Sequence, residues 1–234
     1  MISIRYFPLD WGFGNRILFY NNLRQIAEKN ADTWSCIPWE GYDIFQKGIL
    51  GERSMGNVTL NPCLGEKFFE THVISTKEIF KLKEEEKFNE NVAAVHFRGG
   101  DFFGWNPDAV LDKDYYLNAV DSIKDQVDRF ILFTEDESLE SYAAVEAYFE
   151  NENIEYNIGD NLRENYLNDF RKMSACDYVI SSPSTFCICA AIIGKSPRVI
   201  HSEKWINNRV NAQDKFWVDL HAGGNEDYSI WRLV

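Results

Sequence analysis

Short apolar runs recur along the second half of the chain, separated by longer polar segments with helical spacing. Val92–His96, residues 130–133, Tyr178–Ile180 and Arg198–His201 each have the length of a buried strand. Residues 113–127, 139–150, 165–176 and 185–194 lie between or after them and read as helices. Strands alternating with helices of this length predict βαβ units and a parallel sheet covered on both faces. Upstream, residues 2–7 alternate like a strand, and residues 15–29 place Ile17, Leu18, Leu23 and Ile26 at helical spacing. Residues 33–64 are aromatic and turn-rich and yield no order of elements. Residues 81–91, KLKEEEKFNEN, are polar and charged, and read as a solvated helix or as a boundary between units. The expected architecture is α/β in two lobes, 1–90 and 91–234, the second the clearer; the C-terminal tail is free to pack back on the first.

At 234 residues the chain carries one large or two small domains, and buries roughly 70% of its unfolded surface without disulfide or metal. A 45% hydrophobic, 15% aromatic composition with 6 Pro and 14 Gly excludes disordered and collagen-like classes. The 37 acidic against 24 basic residues give a formal charge of −13, which repels nucleic acid but leaves room for a local basic pocket. MISIRYFPLDW has no signal-peptide core, and the longest apolar run, residues 186–193, is too short to span a membrane. The five cysteines (Cys36, Cys63, Cys176, Cys187, Cys189) lack CxxC spacing and are expected as reduced thiols in a cytoplasm. The four histidines show no ligand spacing, and Asp112 and Asp114 open a helix, so no metal site is expected.

In open parallel sheets, ligands bind beyond the carboxyl ends of the strands. Three loops in such places carry candidate chemistry. In PLDWGFGNR, residues 8–16, Gly12 and Gly14 allow a sharp turn and close backbone approach, and Asn15 is placed to cap the next helix. A tight βα turn alone would look the same, and the third glycine of a dinucleotide fingerprint is missing. In HFRGGDFFG, residues 96–104, Arg98 leaves a buried strand beside Gly99 and Gly100, a fork of donors suited to a diphosphate. Asp101 either pairs with Arg98 structurally or holds it in position for a ligand. In SSPSTF, residues 181–186, Ser184 or Thr185 falls at a helix N-cap, where N–H groups and the helix dipole favour an anion.

The ordered set GFGNR, HFRGGD, YYLNAVDSI, FILFTEDESL and DFRKMSACDYVISSPSTFCICAAIIG resembles the α-1,2-fucosyltransferase family, related to the α-1,6- and protein O-fucosyltransferases. The resemblance implies two Rossmann-like lobes of GT-B type with a reduced N-terminal, acceptor-side lobe. It implies inverting, metal-independent transfer of a deoxysugar from GDP-fucose to an oligosaccharide or glycoconjugate. By position it places Arg98 on the donor diphosphate, His96 near the nucleotide and Asn15 at the cleft. Ser184, Thr185 and Phe186 would flank phosphates and nucleoside, Gly12, Gly14, Arg16, Gly99 and Gly100 would line the donor site, and Asp136 is a candidate ribose contact. Asp10 and Asp101 are the candidates for general base.

The chain departs from the family pattern at Gly99, where the family carries a second arginine, and at Arg16, where it carries glutamine. Pro183 replaces an asparagine, and Ile188 and Cys189 replace a tryptophan pair. These changes leave open another nucleotide-sugar donor, or a non-catalytic nucleotide-sugar or glycan-binding protein. Trp39, Trp105 and Trp231 are candidate sugar-stacking faces.

Overall fold

The computed structural model describes residues 1–8, 11–46, 58–60, 80–194, 198–211 and 230–234. Its strands form two parallel sheets. β1 (Ile2–Ile4), β2 (Trp34–Cys36) and β3 (Val58–Leu60) pair in the order β2-β1-β3. β4 (Val92–His96), β5 (Arg129–Phe133), β6 (Tyr156–Ile158), β7 (Tyr178–Ile180), β8 (Arg198–His201) and β9 (Ile230–Leu233) pair in the order β6-β5-β4-β7-β8-β9.

Register sets where the loops of the larger sheet emerge. Val95 stands opposite Leu132 and Ile180, Leu132 opposite Ile158, and Ile180 opposite Ile200. The loops after β4, β5, β6, β7 and β8 therefore leave the sheet at one level. The helices Lys113–Asp121, Glu140–Glu152, Tyr166–Ala175 and Thr185–Ile193 fill the crossovers, as a parallel sheet requires. β4 and β7 are buried throughout, which explains their uninterrupted apolar runs.

Helix Phe13–Lys29 ties the two sheets together. A Cβ on Gly14 would lie 2.4 Å from the Thr185 carbonyl carbon, so glycine is required for this helix to meet helix Thr185–Ile193. Phe13 completes the contact, with its ring 5.1 Å edge-on from Phe170 and 5.7 Å from Tyr166.

Several expectations change. The strand at 2–7 is confined to Ile2–Ile4, and the helix at 15–29 begins at Phe13. Segment 113–127 splits into helix Lys113–Asp121 and a 3-10 turn, Lys124–Gln126. Residues 81–91 are not helical; Leu82 forms an antiparallel bridge with Phe45. β6 and β9 had no counterpart in the apolar pattern. Cys36, Cys176, Cys187 and Cys189 are buried thiols, and Cys63 lies outside the described residues. Trp39 is 7% exposed and belongs to the core, not to a sugar-stacking surface. Among the described residues no helix is long and apolar enough to cross a membrane.

Candidate active site

The loop after β4 aims one guanidinium. Phe97 extends the pairing by donating its N–H to Phe133 O at 2.8 Å, and Gly100 then turns the chain at φ +54, a conformation that favours glycine. Arg98 donates to Asp101 Oδ1 at 2.6 Å and also pairs with the Glu135 carboxylate, while its guanidinium lies 4.6 Å from the Phe102 ring centroid. Its side chain is 23% exposed, against 71% for Asp101 and 49% for Glu135. Burial pulls the Arg98 guanidinium below its ordinary value, with Asp101 opposing. Arg98 Nε is buried and has no hydrogen-bond partner.

The loop after β7 presents a helix N-terminus beside it. Ser184, not Thr185, is the N-cap, accepting Phe186 N–H at 3.3 Å in extended backbone. The first N–H groups of a helix lack intrahelical acceptors and carry the positive end of the dipole. Thr185 Oγ1 donates to Asn15 Oδ1 at 2.8 Å, which docks the first loop onto this cap. Beneath it, His96 Nδ1 lies 2.7 Å from Ser182 Oγ, and Ser181 Oγ lies 2.5 Å from His201 Nδ1. Burial, and for His96 also Arg98, pushes both imidazoles down to about 3, so both are neutral at physiological pH.

The first loop corrects two expectations. The helix is capped by the backbone of Gly12, with no side-chain bond, and Asn15 sits one turn in, bonded to Thr185 rather than capping. Neither Gly12 nor Gly14 adopts a positive φ; Gly14 serves close helix packing and Gly12 has open space around it. Arg16 pairs with the Glu40 carboxylate, which also accepts from Tyr166 OH at 3.1 Å.

These loops enclose a cavity of about 1,020 Å³. Gly12, Gly14, Asn15 and Arg16 line one side. His96, Arg98, Gly100 and Asp101, then Asp136, then Ser184, Thr185 and Phe186 line the rest. Gly99 does not: it turns toward Leu139, whose Cδ2 would lie 2.5 Å from a Cβ there. Asp10 and the Trp231 side chain lie outside the described residues. Asp136 spends its carboxylate on its own turn, accepting Ser138 N–H at 3.1 Å and Ser138 Oγ–H at 2.5 Å, which holds it below the usual carboxylate range. Trp105 stands at the wall with 63% exposure.

Glu40, Glu135, Asn161, Arg163 and Tyr166 also line the cavity and were not anticipated. Glu40 and Glu135, with Asp101, Asp136 and Asp169, make the wall more acidic than the motifs suggest, and both Arg16 and Arg98 already hold carboxylates. An entering anion must compete with those carboxylates. Among the described residues, no group of three His, Cys, Asp or Glu is arranged to hold a metal ion.

Parallel-sheet loops bring an arginine, a glycine turn and a helix N-terminus to one cavity, a set of donors whose chemistry suits an anionic group. The Glycosyl transferase family 11 model matches residues 69–220, about two thirds of the chain, and the protein belongs to that family. This is the α-1,2-fucosyltransferase family that the motif order resembles. No curated protein and no solved structure matches the chain.

Proposed function

We propose that the protein is an inverting glycosyltransferase that moves L-fucose from GDP-fucose to a glycan hydroxyl in a single displacement. Family membership supports the reaction class, and the observation that carries the site is Arg98 beside the Ser184 cap on one cavity wall. The reading takes the two sheets as GT-B lobes, with 1–90 on the acceptor side and 91–234 holding the donor.

As the glycosidic bond breaks, negative charge grows on the β-phosphate. The Arg98 guanidinium leaves Asp101 and Glu135 for the diphosphate, and the N–H groups of the first turn of helix Thr185–Ile193 meet the same oxygens. Electrostatic stabilisation of this kind contributes more to such a step than any other single effect. Asp101 holds the Arg98 guanidinium at the cavity wall until the donor arrives. Asp10 remains the candidate for taking the acceptor proton. Gly12 leaves backbone open to the ligand, His96 and Phe186 lie toward the nucleoside, and Trp105 offers a face to the acceptor sugar.

No metal is required in this scheme, since the cation and helix dipole answer the charge; turnover should persist in EDTA, and loss restored by magnesium or manganese would refute that. A second reading, a binding protein or a transferase for another nucleotide sugar, is favoured by the absent arginine at Gly99. A thermal-shift panel of GDP, UDP, dTDP and ADP decides the donor. Ligand at 100 times its Kd adds about 2.7 kcal/mol; GDP should give the largest shift, and a larger one with UDP or dTDP would overturn the donor. Release of GDP from GDP-fucose separates enzyme from binder.

A further inference from the structure

The loop after β6 is built around one amide. Gly159 donates its N–H to Leu132 O at 2.8 Å, and a Cβ on it would lie 2.6 Å from the Phe133 ring, so the loop sits directly on the end of β5. The Asp169 carboxylate accepts the backbone N–H groups of Asp160 at 2.8 Å and Asn161 at 2.9 Å. Asp160 is held in turn by Lys172 at 2.7 Å. Asn161 has φ +51, a left-handed conformation that asparagine tolerates better than most residues.

The Asn161 side chain is oriented by chemistry. Its Oδ1 accepts Thr134 N–H at 3.0 Å, and a flipped amide would set two donors against each other. Its Nδ2 is buried with no hydrogen-bond partner, and Asn161 lines the cavity. A buried donor left unpaired is costly. A residue of the cavity lining thus carries one unused donor group.

Resting on the donor reading above, we propose that Asn161 Nδ2 donates to an exocyclic oxygen of the donor's nucleobase and so selects an oxo base over an amino base. Strand order supplies the spacing. Arg98 and the Ser184 cap follow β4 and β7, which are neighbours, while Asn161 follows β6, two strands from β4. Neighbouring strands lie about 4.8 Å apart, which puts Asn161 about 10 Å to the side of the anion site. That is the reach from a diphosphate across a ribose to the far edge of a base, with the β5 loop at 134–136 under the ribose. Guanine and uracil present a carbonyl oxygen to such a donor, whereas adenine presents another amine.

The test is calorimetric titration of the wild type, Asn161→Asp and Asn161→Gly with GDP, ADP and inorganic pyrophosphate. Aspartate keeps the oxygen that Thr134 needs, and glycine removes the side chain without adding charge; both accept the backbone angle. Both variants should lose on the order of tenfold or more in GDP affinity and much of the preference for GDP over ADP, with Asn161→Gly keeping its pyrophosphate affinity. Unchanged GDP affinity in both variants overturns the assignment, as does an equal loss for GDP and pyrophosphate in Asn161→Gly, which marks a purely structural role. A wild type that binds no nucleoside diphosphate overturns the donor reading together with it, while a wild type that binds GDP isolates the failure to Asn161.

Discussion

Arg98 and Arg16, two of the three arginines that line the cavity, are set apart by their partners. Arg98 is held by Asp101 and Glu135, exposed carboxylates on flexible side chains of neighbouring loops. Arg16 is held by Glu40, which is only 22% exposed and is itself bonded by Tyr166 from a helix of the larger sheet. The first pair is cheap to exchange for a phosphate, since exposed ion pairs contribute about 0–1 kcal/mol. The second links helix Phe13–Lys29, the segment before Gly41 and helix Tyr166–Ala175, and exchanging it would loosen the cleft. In the proposed reading Arg98 is a ligand arm and Arg16 a strut, although the motif order treats both as donor-site residues.

The largest effect should separate them outright. Arg98→Ala should lower turnover by on the order of a hundredfold or more, because each charge-assisted bond to the leaving diphosphate is worth about 1.5–3 kcal/mol. Arg98→Lys should recover only part, since an ammonium lacks the two-pronged geometry. Steady-state kinetics on the two variants would break the comparison if lysine restored full activity.

Acid should reach the Arg98 side first. His96, under that loop, and His201, under the β7 loop, have folded values of about 3, below the ordinary 6.5. The unfolded chain therefore takes up protons that the fold refuses, so stability is flat above pH 6.5 and falls as pH drops from 6.5 toward 3. The slope is at most about 1.4 kcal/mol per pH unit for each histidine. Asp169 works in the opposite sense, because burial raises its carboxyl above the usual range. Melting temperatures from pH 7.5 to 4.5 check this; His96→Gln should flatten the curve.

Arg16→Ala should show the reverse of Arg98→Ala. It should cost about 1–3 kcal/mol of stability by taking the cation from the half-buried Glu40 carboxylate, with donor affinity changed far less than by Arg98→Ala. A chemical denaturation curve measures the first and GDP titration the second. The smallest effect has the opposite sign: Glu135→Gln removes a competitor for Arg98 and should tighten GDP binding a few-fold, consistent with about 0.2–1 kcal/mol for an exposed pair. Weaker binding would mean that Glu135 positions the arginine for the ligand.

What the sequence disclosed follows from where its patterns are strong. β4, β5, β7 and the helix after Ser184 are written as buried apolar runs, so Arg98 and the cap could be placed before any geometry. β6 is an edge strand with Asn157 and Ile158 exposed, which leaves no apolar run, and Asn161 was lost with it. Glu40 lies in the aromatic segment that has no period. Asn15 misled for a local reason: an Asn before a helical pattern reads as a cap, but the contact between Gly14 and Thr185 starts the helix at Phe13 and turns that amide to a partner 170 residues away. Gly99 misled because a glycine beside an arginine suggests backbone open to ligand, whereas Leu139 fills that side.

A single preparation of Arg98→Ala carries the decisive experiment: its melting temperature without ligand and its affinity for GDP. If Arg98 is the arm that holds the donor diphosphate, the variant melts close to the wild type, because the ion pairs lost are to exposed carboxylates, and binds GDP at least tenfold more weakly. A variant that melts early yet binds GDP like the wild type would remove Arg98 from the site.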